Sequence, residues 1–159
     1  MVAPPEVIAK LVQLKQGADL HTSTFTQMVA YEVARDGFLD DHVKLIRKVY
    51  RERRDVMLES LKQYFPPEVT WTHPQGGLFL WVSLPEGMDC QKLFEAALRE
   101  NVAFVPGESF YARNGFAEEA SRHFRLNFSY GRPEQIREGI RRLSLAVKHQ
   151  MEELHAVAH

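Results

Sequence analysis

The stretch "HFRLNFSY", residues 123–130, alternates strictly: Phe124, Leu126, Phe128 and Tyr130 interleave with Arg125, Asn127 and Ser129. A period of two predicts a half-buried strand, the aromatic and apolar set facing a core and the polar set facing away. Arg125 then stands on the outer face of a stiff element, beside small polar neighbours rather than other charges. Two readings follow. One is a solvated charge of the kind common on strand surfaces. The other is a guanidinium fork, fixed in place, that meets a carboxylate bidentately as lysine cannot.

Working outward, "VTWTH" (69–73) and "LFLWVSL" (78–84) flank "PQGG" (74–77), two strands joined through a glycine turn. Gly76 and Gly77 fit a tight turn that needs positive φ; close approach of backbone to a ligand is the alternative. "DCQKLFEAALREN" (89–101) is a short amphipathic helix with Asp89 as N-cap, and "VAFVP" (102–106) a short strand ended by Pro106-Gly107. In "VPGESFY" (105–111), Gly107 carries the same ambiguity, and Phe110 is either core or a pocket wall. A closing helix follows over 132–156, with Pro133 early and Ile136, Ile140, Leu143 and Val147 on one stripe.

The first half is helical. Pro4 and Pro5 open a helix that Gly17 can stop. Thr22, Ser23 and Thr24 offer N-cap hydroxyls to a second, with Gln27 at capping-box spacing from Thr24 and Gly37 as C-cap. The longest periodic segment runs from Asp40 to Phe65, capped by Asp40 or Asp41 and ended by Pro66-Pro67. Val43, Ile46, Tyr50, Met57, Leu61 and Tyr64 form its stripe; its charged face reads as a solvated surface laced with ion pairs. The order α–α–α–β–β–α–β–β–α predicts an α+β fold, a small mixed or antiparallel sheet covered by helices.

The chain has 159 residues, 45% hydrophobic and 26% charged, with a formal net charge of −1. That composition is globular, and near-zero charge argues against nucleic acid or an anionic membrane as partner. A lone cysteine, Cys90, excludes an intrachain disulfide and fits a reducing, cytoplasmic compartment. No apolar run approaches the roughly 20 residues that span a bilayer. The histidines form no HxH or HExxH pattern, so no metal site is expected. No nucleophile elbow supports a serine triad. A Pro-Pro turn so soon after Met1 reads as a segment cut from a longer chain.

Taken in order, "PQGGLFLWVSLP", "ALRENVAFVPGESFY", "RHFRLNFSY" and the closing helix resemble the C-terminal part of a class I/II, fold-type I, PLP-dependent aminotransferase. "VAPPEVIAKL", "LHTSTFTQ" and "VARDGFLDDHVKLIRKVYRERRDVML" agree in order and distance. The resemblance covers nearly the whole chain and is nearest to the 2-aminoadipate and kynurenine aminotransferase branch. It implies that residues 1–39 are helices from the end of the large PLP-binding domain with a dimer-contact loop, and that 40–159 are the small substrate-closing domain. It implies that Arg125 grips the substrate α-carboxylate, that Phe110 lines the substrate side-chain pocket, and that Leu20 reaches the partner subunit's active site in a homodimer. The substrates would be an amino acid and a 2-oxo acid.

One departure stands out. The family's catalytic lysine lies in a Ser-x-Ser-Lys segment, and none of Lys10, Lys15, Lys44, Lys48, Lys62, Lys92 and Lys148 has that context. The expectation is a parent enzyme that transaminates with pyridoxal 5'-phosphate, and a piece that neither holds the cofactor nor turns over alone. The alternative parent is a winged-helix (GntR/MocR-type) transcriptional regulator whose aminotransferase-like domain senses an effector; only then would nucleic acid be a partner. A stand-alone α+β interaction module is the third reading.

Overall fold

A computed structural model describes residues 2–111 and 117–157. The chain divides into two compact units, Met1–Ile46 and Arg47–His159.

The first unit is helical. Helix α1 (Pro5–Asp19) carries proline in its first turn. It runs straight through Gly17, which therefore does not stop it: a helical glycine costs only about 1 kcal/mol relative to alanine, and the Lys15–Asp19 pair (2.8 Å) spans the last turn. The helix ends instead at Leu20, whose φ of 61° breaks the spiral. Helix α2 (Thr24–Ala34) is capped by Ser23, whose hydroxyl accepts from the Thr26 N–H. The expected Thr24–Gln27 capping box does not form. With Ser23 as the cap, Gln27 lies one residue beyond the capping-box position, and its amide donates to the Thr22 carbonyl at 2.8 Å. Asp36 and Gly37 both take positive φ before helix α3 (Phe38–Tyr64) begins. Asp40 and Asp41 lie inside its first turn, where they favour the helix dipole rather than cap it. None of α1 or α2 is buried; Phe25, Leu14 and Met28 are exposed.

The second unit holds the core. Strands β1 (Thr70–Trp71), β2 (Phe79–Ser83), β3 (Val105–Pro106) and β4 (His123–Asn127) form one sheet in the order β1-β2-β4-β3, antiparallel throughout. Of "VAFVP" only the last two residues pair. Asn101 at φ 58° and the Val102 N–H, which reaches back to the Ala97 carbonyl at 2.9 Å, still belong to the end of helix α4 (Cys90–Arg99). Asp89 caps α4 as expected, its carboxylate accepting from the Gln91 and Lys92 N–H groups at 2.8 and 3.2 Å. Helix α5 (Ala117–Ala120) is one turn, and α6 (Pro133–Val157) closes the chain.

The strands' period of two decides the layering. Leu80, Val82, Phe124 and Leu126 are at most 4% exposed and share a core with Met57 and Leu61 of α3, Leu93 of α4, and Ile140, Leu143 and Val147 of α6. Large-to-alanine changes at such positions cost about 2–5 kcal/mol. Phe128 belongs to this core, but Tyr130 does not: it is 93% exposed. The strand has ended by then, because the Asn127 side chain accepts the Ser129 N–H at 2.7 Å and turns the chain. With three helices on one face, the odd-numbered residues of β2, β3 and β4 are left on the other, while in β1 Trp71 pairs with Val82 and packs against the core. No helix among the described residues is long and apolar enough to cross a membrane.

Candidate functional site

β4, like β2, is hydrogen-bonded on both edges, so its backbone is firmly held. Arg125 sits mid-strand, opposite Trp81 of β2 and Val105 of β3. Its guanidinium carbon lies 3.9 Å from the centroid of the Phe79 ring and 4.5 Å from that of Phe110. Each aromatic face attracts the cation and keeps water from it. The Arg125 Nε is buried with no hydrogen-bond partner, and no carboxylate pairs with this side chain among the described residues. A half-buried guanidinium whose Nε is buried and unbonded is an unfilled requirement.

Phe110 reaches the arginine from a 3-10 turn over Gly107–Phe110 that follows β3. The backbone around Gly107 explains why a glycine stands there. A Cβ there would meet the carbonyl oxygens of His123 and Ala120 at 2.6 and 2.7 Å, so the glycine admits the neighbouring backbone, not a ligand. In the "PQGG" turn Gly77 takes φ +76° and Gly76 does not, with open space around both. Arg125 and Phe79 open onto a cleft of about 490 Å³ that is also lined by Val105, Asn127, Tyr130 and Ile136. Cys90 takes no part: it is buried, and desolvation pushes its thiol pKa up to about 12.

The structure thus brings two of the three expected site residues together, Arg125 and Phe110. Leu20 belongs to the N-terminal unit, exposed at the end of α1. Phe79, Trp81 and His123 share the open face with Arg125 and were not singled out from the sequence. The alternation of "LFLWVSL" puts Phe79 and Trp81 on one face, but only the β2–β4 register shows that this face is the arginine's.

A Schiff-base lysine must be desolvated to be nucleophilic near neutral pH. All seven lysines are exposed, and Lys10, Lys15 and Lys44 bond to side chains on their own helices. None of the seven is buried as a Schiff-base lysine requires. No group of three or more metal-ligating side chains occurs among the described residues.

The sequence matches the family described as aminotransferase class I and II over residues 1–143. It is 43% identical over 151 residues to an aromatic-amino-acid aminotransferase of Thermococcus litoralis, covering 95% of this chain and 35% of that protein. It is 47% identical over 147 residues to a 2-aminoadipate transaminase of Thermus thermophilus, covering 92% and 36%. Its fold is similar to the crystal structure of an α-aminoadipate aminotransferase of Thermus thermophilus complexed with N-(5'-phosphopyridoxyl)-L-leucine: TM-score 0.82, 44% identity, 95% of this chain and 38% of that one. An HTH-type transcriptional regulator of Bacillus subtilis matches at 28% identity, over 93% of this chain and 30% of its own length. The chain spans about a third of the length of each of these proteins.

Proposed function

The chain belongs to the class I and II aminotransferase family, and from that premise we propose that it is the carboxylate-gripping part of a PLP-dependent aminotransferase. The enzyme moves an amino group between an amino acid and a 2-oxo acid. Residues 40–159 act as the small substrate-closing domain, and 1–39 carry the end of the large domain with the loop that bears Leu20. In a homodimer that loop reaches the partner subunit's active site. The cofactor and its lysine belong to parts of the enzyme outside these 159 residues, in keeping with seven exposed lysines here. When bound, the cofactor supplies the electron sink; this chain supplies position.

The observation that carries the proposal is the Arg125 guanidinium, which lies against the Phe79 and Phe110 rings on a central strand with its Nε unbonded and no carboxylate partner among the described residues. Its two outward N–H groups meet both oxygens of an α-carboxylate, as a fork meets a fork. Gripped there, the substrate cannot rotate its reacting carbon away, which converts binding energy into orientation. The aromatic walls exclude water and strengthen the ion pair. Phe110 also borders the space that the substrate side chain enters. The enzyme reading is favoured over the regulator by identity, 43–47% against 28%.

The test is Arg125→Lys in the full-length enzyme. A charged hydrogen-bond pair contributes about 1.5–3 kcal/mol, so kcat/KM for amino acids should fall about ten- to a hundredfold. The corresponding amines, which lack the carboxylate, should react no worse than with the unaltered enzyme. Unchanged kcat/KM for amino acids would sink the proposal.

A further inference from the structure

A tryptophan on the open face of a sheet needs a cover. Trp81 is half-buried there, and rings cover it. His123 stacks on it at 5.7 Å and 29°, Tyr111 is tilted against it at 6.3 Å and 34°, and Phe110 meets it edge-on at 5.4 Å and 82°. Tyr111 and His123 are themselves nearly parallel, 6.2 Å apart. The Trp81–Phe110 geometry is the favoured edge-to-face arrangement, in which the electron-poor rim of one ring meets the electron-rich face of the other.

Phe110 is the link. One neighbour of its ring is Trp81 and another is the Arg125 guanidinium. Its own element does not hold it firmly: the 3-10 turn is four residues long, and the side chain is 44% exposed. Trp81 in contrast projects from a paired strand and is the register partner of Arg125 itself. The rigid residue therefore braces the loosely mounted one, and the loosely mounted one covers the arginine.

We infer that Trp81 is a positioning residue for carboxylate binding: wedged against His123 and Tyr111, it fixes the Phe110 ring and so holds the Arg125 guanidinium in the plane that meets the substrate. Trp81 touches no substrate in this scheme. It lowers the conformational freedom that Arg125 would lose on binding, and so acts on affinity rather than on the proton and bond rearrangements that follow. The inference rests on Arg125 being the carboxylate grip, and the experiment separates the two.

The experiment uses the full-length holoenzyme with Trp81→Leu, Trp81→Phe, Arg125→Lys and the Trp81→Leu/Arg125→Lys double variant. L-Phenylalanine as donor gives kcat and KM, and 3-phenylpropanoate, an unreactive carboxylate, gives a dissociation constant. Trp81→Leu should weaken both KM and the 3-phenylpropanoate constant about tenfold, with kcat changed less than about twofold. Trp81→Phe keeps a ring against Phe110 and should recover most of the loss; it also serves as the reporter if Trp81→Leu does not fold. On the Arg125→Lys background the Trp81 change should add almost nothing, because the group it positions is gone. Losses that multiply, or a fall in kcat with KM untouched, overturn the role of Trp81 and leave Arg125 standing. If the unaltered enzyme ignores 3-phenylpropanoate, or Arg125→Lys binds it as well, the carboxylate grip fails and the inference with it.

Discussion

The backbone of Gly107 passes so close to that of His123 that a Cβ on the glycine would lie 2.6 Å from the His123 carbonyl oxygen. The Ala120 carbonyl oxygen, at 2.7 Å, closes the other side. Neither neighbour is a flexible side-chain tip; both are main chain at the entrance to the central strand. This contact seats the 3-10 turn that delivers Phe110 over Arg125.

Gly107→Ala should therefore act on both stability and the site. Overpacking against main chain costs about 1–3 kcal/mol, because backbone must shift. The turn moves more easily than the central strand, so Phe110 is displaced and the Arg125 ring contact loosens. Urea unfolding should show the lower midpoint, and near-ultraviolet circular dichroism the altered aromatic packing around Trp81. A variant with an unchanged midpoint and spectrum would contradict the close approach.

Gly107 also marks a limit of what sequence carries. A glycine before a turn reads the same whether the backbone must pass another strand, take positive φ or admit a ligand. The deciding atoms belong to residues 120 and 123, and only the β3–β4 pairing brings them near. What could be read was periodicity: the alternation around Arg125, the Asp89 cap, the stripe of α6 and the Tyr50–Tyr64 part of the α3 stripe are local signals with large apolar consequences, whereas Val43 at the start of that stripe is exposed. Tyr130 escaped because alternation does not say where a strand ends; the Asn127 side chain ends it. Phe79 and Trp81 escaped because the cage around Arg125 is built by strands that are not consecutive, β2 against β4. Gly17 lies within α1 and does not end it, because its penalty is smaller than the combined preference of its helical neighbours.

Gly139 is the converse of Gly107. It lies in α6, half-buried on the rim of the cleft, and a Cβ added there meets nothing within 4 Å. Its flexibility serves no turn, since the flanking residues are helical. Gly139→Ala should raise stability by up to about 1 kcal/mol, mostly by restricting the unfolded chain. The urea midpoint of the 159-residue chain should rise with an unchanged slope. A fall would mean that the space beside Gly139 is filled in solution.

Glu138 is clasped by two arginines one turn further along α6. Arg141 donates through Nε and Nη2 at 2.8 and 2.9 Å, and Arg142 through Nε at 2.7 Å. These hydrogen bonds, Arg141's first, lower the Glu138 pKa from 4.5 to about 2. A carboxyl whose pKa is lower in the folded state binds protons more readily when unfolded, so its contribution rises with pH. It is fully present above about pH 4.5 and is lost as pH falls toward 2. The clasp is solvent-exposed, so salt screens it and its size is modest. Glu138→Gln should therefore lower the urea midpoint near neutral pH, the difference from the unaltered chain should shrink between pH 4.5 and 2, and 1 M sodium chloride should reduce it throughout. A difference that stays constant down to pH 2 would show that the variant acts by packing and not by charge.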